Sequence, residues 1–154
     1  MPELLIRVGL DDTDHPDGGC TTYDLNSLSE LLRSVLPSYE EVERRLVRLW
    51  PYAERRTRGN AALCLLATIE EGDQGALHEA LDSWVPEPGD ADGTSSARPA
   101  IVAGSGDPPM EWYTDAVRSR VDLDDRLKAI SDAGFRVFAK SERPHGAIGA
   151  SAAL

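Results

Sequence analysis

The stretch Leu4-Leu5-Ile6-Arg7-Val8-Gly9-Leu10-Asp11-Asp12-Thr13-Asp14 decides the fold class. Leu4 to Leu10 is short, apolar and branched, which predicts a buried strand. It runs straight into four residues of which three are aspartate. A strand that delivers acidic side chains from its carboxyl end is the usual placement of a site in an α/β sheet.

Outward from that strand, Pro16, Gly18 and Gly19 mark a turn over His15 to Gly19. Thr21 or Thr22 suits the cap of the next helix, where Leu25, Leu28, Leu32, Val35 and Leu36 recur at helical spacing before Pro37. Val42–Trp50 and Ala61–Ile69 read as strands joined by an arginine-rich loop, Pro51–Asn60. A helix from Asp73 carries Leu77, Ala80, Leu81 and Trp84 on one face. Val85–Met110 holds five of the ten prolines and reads as a long, mobile loop with a short strand at Ala100–Ala103. Helical patterns follow at Trp112–Val121 and Leu123–Ala133. Asp122, with Asp125 three residues on, is suited to open the second, and Gly134 to stop it. Phe135–Ala139 reads as the last strand and Gly146–Leu154 as a closing helix. The order predicts one α/β domain over residues 1–154, a mixed β-sheet with packed helices. It does not fix the strand order.

With 154 residues, 41% of them hydrophobic, the chain suits one core and not global disorder. No apolar run approaches the roughly 20 residues of a membrane span, and Met1–Val8 has no signal-peptide pattern. Cys20 and Cys64 form no zinc-type spacing, and reduced thiols in a cytoplasmic protein are the simple expectation. The net charge of −11 argues against a broad nucleic-acid footprint. The charge is uneven, however. Residues 44–58 carry six arginines against Glu54, a local +5 that leaves −16 for the rest. A focused anion site fits that distribution.

Asp11, Asp12, Asp14 and Asp17 crowd into seven residues. Such carboxylates are either screened by water in an acidic loop or neutralised by a cation. Magnesium takes one or two carboxylates together with water and substrate phosphates. Thr21 and Thr22 stand at a helix start, where free N–H groups and the helix dipole favour phosphate. Helix capping is the simpler role for Thr22, and for Thr21 a nucleophilic hydroxyl stays open. Cys20 has no histidine with a claim to activate it, and His15 reads as an exposed turn residue. In Arg55-Arg56-Thr57-Arg58-Gly59-Asn60 the arginines can fork phosphate oxygens, Gly59 permits close backbone approach, and Asn60 can bond a base, ribose or phosphate. A charge-balancing basic loop is the plainer alternative. His145-Gly146-Ala147-Ile148-Gly149-Ala150 suits a nucleotide-facing turn or close helix packing. The chain has no GxxxxGK[ST], so any nucleotide site is not a P-loop.

In order, these blocks resemble a known family. GLDDTDHPDGGCTTY (residues 9–23) is similar to the opening GIDDTDSPxGMCTTY of the tRNA(isoleucine) 2-agmatinylcytidine synthetases. RLWPYAERRTRGNAAL resembles their RLNP…KTRGNGAV block, ARPAIVAG stands for NPGxVV, WYTDAV for FYxxAV, and HGAIGASAAL for GRGLIGALAA. The resemblance implies a kinase-like domain that uses ATP and magnesium to activate a wobble cytidine for agmatine conjugation. It implies catalytic roles for Asp11, Asp12 and Thr21, and metal binding by Asp11, Asp12 and Asp14. It also implies nucleotide contacts from Thr22, Arg56, Arg58, Gly59, Asn60 and Gly146. Arg56 replaces the family's lysine, and Pro144-His145-Gly146 replaces its Gly-Arg-Gly turn. The family binds tRNA through further domains (ferredoxin-like, OB-fold and zinc ribbon), which are expected to be absent from this chain. The alternatives are a stand-alone relative acting on a small molecule or nucleotide, and a non-catalytic nucleotide-binding domain.

Overall fold

The structure is a computed structural model that describes residues 3–11, 21–48, 61–85, 100–118, 121–140, 144 and 146–154. Among the described residues, five strands are β1 (Glu3–Asp11), β2 (Glu40–Arg48), β3 (Ala61–Glu70), β4 (Ala100–Gly104) and β5 (Arg136–Phe138), and five α-helices are α1 (Thr21–Val35), α2 (Gln74–Trp84), α3 (Met110–Arg118), α4 (Leu123–Asp132) and α5 (Gly146–Ala153). The strands form one sheet in the order β2-β3-β1-β4-β5.

Every pairing in that sheet is antiparallel. The α/β class and the packed helices therefore stand, while the sheet is antiparallel where the sequence suggested a mixed one. The reason lies in the crossovers. β1 and β2, joined through α1, run the same way, but β3 inserts between them; β3 and β4, joined through α2, are split in turn by β1. This is two interlocked split β-α-β units. A strand–helix–strand order read locally looks parallel, and only the long-range insertion makes each neighbour antiparallel.

Alternation along the strands divides the core between the two faces of the sheet. Ile6, Val8 and Leu10 of β1 join Leu63, Leu65 and Ile69 of β3 and Ile101 of β4 on one face. They are covered by α1 through Leu25, Leu28 and Leu32 and by α2 through Leu77 and Leu81. The other face is lined by smaller residues, Ala62, Cys64, Ala100 and Val102, and is covered by α3, α4 and α5. Each fully buried leucine contributes about 2 kcal/mol by leaving water.

The ends of α4 follow from its sequence. The Asp122 carboxylate accepts the N–H of Asp125 at 2.9 Å. At the other end Gly134 adopts φ +86°, Gly134 N–H donates to Ser131 O, and Phe135 N–H donates to Ile130 O. Those two bonds form a Schellman stop, with Ile130 and Phe135 both buried in the same hydrophobic cluster. Gly134→Ala is expected to cost about 1 kcal/mol, read from the chemical denaturation midpoint, because only glycine adopts this φ without strain.

A polar seam ties α1 to β2. Ser29 Oγ donates to Glu41 Oε1 at 2.7 Å and lies 3.1 Å from the Tyr39 hydroxyl, while Arg44 Nε donates to the same Glu41 oxygen at 2.9 Å. Partial burial pushes the Glu41 carboxyl up, but the Ser29 and Arg44 hydrogen bonds and the Arg44 and Arg33 charges outweigh it and hold it below its ordinary 4.5. A depressed folded-state value stabilises the fold above the unfolded pKa and is lost as pH falls through the folded one. Glu41→Gln is therefore expected to flatten the fall in stability below about pH 4.5 and leave its slope at neutral pH unchanged.

Candidate functional site

Register shows where the chain's chemistry can meet. Asp11, the last residue of β1, pairs with Ala100, the first of β4, and its neighbour Leu10 pairs with Leu63 near the start of β3. Arg48, the last residue of β2, pairs with Ala61, the first of β3. Phe138, the last of β5, pairs with Ile101. One rim of the sheet thus gathers the carboxyl ends of β1, β2 and β5 and the amino ends of β3 and β4. Asp11, Arg48, Ala61, Ala100 and Phe138, the described strand ends, all stand at this rim.

Some of the predicted site residues fall within the described elements. Asp11 is half-buried at the tip of β1. Thr21 and Thr22 are the first two residues of α1. Gly146 is the buried first residue of α5. Asp12, Asp14, Arg56, Arg58, Gly59 and Asn60 lie outside the described residues, as do His15 and Cys20. The helices begin toward the same rim: along α5, Leu154 lies against Arg7 and Ala150 against Gly9, and along α1, Ser29 lies against Glu41 and Asn26 against Arg44, so the starts of both point to the end of β1 at Asp11 and of β2 at Arg48. Asp11 and the first-turn N–H groups of α1 make a donor set whose chemistry fits a magnesium-bound phosphate.

Two residues that sequence reading passed over set the geometry of β1. Gly9 faces α5 so closely that a Cβ there would overlap the carbonyl oxygen of Ala150. Arg7, on the same side of the strand, donates from a guanidinium nitrogen to Leu154 O at 3.5 Å and pairs with Asp107 at 3.7 Å. The only local hint was a glycine and an arginine interrupting an otherwise apolar strand. The small run Gly146–Ala153 had two readings, and its burial against β1, β3 and β4 shows close helix packing. Arg126 was likewise passed over. It is buried, donates to Ser151 Oγ at 2.9 Å and lies 5.7 Å from the Trp112 ring centroid, bracing α4 against α3 and α5. Cys64, opposite Gly9 in the register, is buried, and desolvation pushes its thiol up to about 11, as befits an unreactive packing residue.

Comparison with known proteins places this architecture. Residues 7–79 match the family model described as the TiaS TCKD domain. The chain resembles the N-terminal domain of TiaS, the 2-agmatinylcytidine synthetase of an isoleucine tRNA. It is 32% identical over 156 residues to the synthetase of Pyrococcus horikoshii, covering 98% of this chain and 35% of that protein. It is 36% identical over 159 residues to that of Methanopyrus kandleri, covering 96% of this chain and 33% of that protein. In structure it is similar to TiaS in a complex with an isoleucine tRNA and ATP, with a TM-score of 0.80 and 27% identity over 97% of this chain and 36% of that one. The chain thus spans about a third of the length of the TiaS proteins it matches. Among the described residues, no helix is long and apolar enough to cross a membrane.

Proposed function

We propose that this chain is the ATP- and magnesium-dependent activation domain of a TiaS-type enzyme, performing phosphoryl transfer that prepares a wobble cytidine for agmatine. The observation that carries this reading is the single rim onto which β1, α1, β3 and α5 open, in a chain similar along 97% of its length to TiaS solved with an isoleucine tRNA and ATP. On this reading Asp11, Asp12 and Asp14 hold magnesium, which when bound neutralises phosphate charge and orients the transferring group. The first-turn N–H groups of Thr21 and Thr22 receive phosphate oxygens, and Thr21 offers its hydroxyl to the reaction. Arg56, Arg58, Gly59 and Asn60 grip the nucleotide, with Gly146 bringing the α5 backbone near it. The adenine nucleotide and magnesium belong to the domain, whereas tRNA and agmatine are partners of a whole enzyme of this type, acting in the cytoplasm. The decisive measurement is titration calorimetry of ATP into the chain with and without saturating magnesium. Binding that requires magnesium is expected; no heat in either condition rejects the proposal.

A second reading is a domain that binds nucleotide without turnover, favoured by Arg56 in place of lysine and by the Pro144-His145-Gly146 turn. Magnesium-dependent ATP hydrolysis that disappears in Thr21→Ala eliminates it.

A further inference from the structure

The two edges of the sheet differ. β5 closes one side with three residues, a short edge that invites no partner. β2 closes the other with nine, and among the described residues nothing pairs with its outer side. Its apolar residues Val42 and Leu46 are 60% and 58% exposed. A long edge that displays apolar side chains is a template for another strand.

Its sequence, Glu40-Glu41-Val42-Glu43-Arg44-Arg45-Leu46-Val47-Arg48, is acidic in the first half and basic in the second. We propose that β2 pairs antiparallel with β2 of a second copy of this chain, around a two-fold axis through Arg44, to make a symmetric dimer with one continuous ten-stranded sheet.

Register is what selects this arrangement. The outward backbone groups of an antiparallel edge alternate, so the axis of a symmetric pair passes through a residue and moves only in whole-residue steps. With the axis at Arg44, Glu43 faces Arg45 of the other copy and Val42 faces Leu46, each twice. With it at Glu43, two glutamates meet on the axis and Val42 faces an arginine. With it at Arg45, two arginines meet and Leu46 faces Arg44. Of these three, only the Arg44 axis matches both charge and hydropathy over the central segment from Val42 to Leu46. It sets Arg44 against its own copy, but each Arg44 already donates to Glu41 at 2.9 Å and to Asn26 Oδ1 at 3.2 Å, so its charge is neutralised within the protomer. Arg45 and Glu43 are ion-paired along their own strand at 3.0 Å and half-exposed, so the two strands offer an alternating charged array. Val42 is the extra residue where the β2–β3 register shifts, so the pairing centred on Arg44 ends at Val42 opposite Leu46. Apolar surface continues past the strand. A groove of about 270 Å³ has Arg45 and Val47 on one wall and Met110 and Tyr113 on the other.

Sedimentation equilibrium of the chain tests this with charge reversals. The parent is expected to be dimeric at about 100 μM, and E43R or R45E alone to weaken association about tenfold or more, since each sets like charges opposite one another twice. Both side chains are half-exposed, so the circular dichroism of each variant should match the parent. Mixing E43R with R45E restores opposite charges at both contacts and should recover a heterodimer near parental affinity. A parent that stays monomeric, variants that associate as tightly as the parent, or a mixture that recovers nothing would each overturn the proposal.

Discussion

Gly9→Ala is expected to lower the folding stability by about 3 kcal/mol or more, among the larger effects of a single added methyl group. Gly9 lies in the central stretch of β1, between β3 and β4, so the strand cannot shift sideways without breaking two ladders. The added Cβ would meet the carbonyl oxygen of Ala150, and backbone has no rotamer by which to yield. α5 would have to lift from the sheet, and it is buried along nearly its whole length. Denaturant unfolding should show a lower midpoint with an unchanged slope. A second variant sharpens the point. Ala150→Gly combined with Gly9→Ala should rescue nothing, because the obstacle is main chain. A loss below about 0.5 kcal/mol would mean that α5 does not seat against β1 as described.

Asp11→Asn should reduce magnesium-dependent ATP turnover by on the order of a thousandfold while leaving the unfolding midpoint close to that of the parent. The substitution keeps shape and hydrogen-bonding capacity and removes only the charge. Asp11 is half-buried at the strand tip, and the core on both faces of the sheet is built from apolar side chains, so the substitution is expected to act on the proposed metal site more than on the fold. Excess magnesium should recover part of the activity if the loss is one of metal affinity, and none if Asp11 acts on the transferring group itself. Turnover within tenfold of the parent at every magnesium concentration would remove Asp11 from the reaction.

Local pattern carried much of the fold. Branched apolar runs marked β1, β3 and β4, the leucine spacing marked α1 and α2, and Asp122 with Gly134 marked the ends of α4 to the residue. These are properties of a few neighbouring side chains. The insertion of β3 between β1 and β2 was not legible, because it depends on which distant edges meet. Gly9 looks like an ordinary strand residue for the same reason: its partner lies 141 positions away. Gly146 shows the converse. Its run is visibly small, but smallness alone does not separate a nucleotide-facing turn from a packed helix, and contact with β1, β3 and β4 favours packing for the run as a whole. Of the candidate site, Asp11, Thr21 and Thr22 stand at element ends that strand and helix patterns mark on their own. The Arg56–Asn60 block is recognisable by residue type and lies outside the described residues.

The closure of α5 over β1 also sets a timetable. Arg7 bonds to the carbonyl of Leu154, 147 residues later, and Gly9 is roofed by a helix that begins at Gly146. During vectorial synthesis at roughly 5–20 residues per second, β1 emerges on the order of 10 s before the helix that covers one of its faces. In that interval the face bearing Gly9, Ala62 and Cys64 has no roof, and β1 lacks β4 on one side. The nascent chain therefore depends on the earlier α1–β2–β3–α2 half to hold the first strand, and on slow long-range closure to finish it.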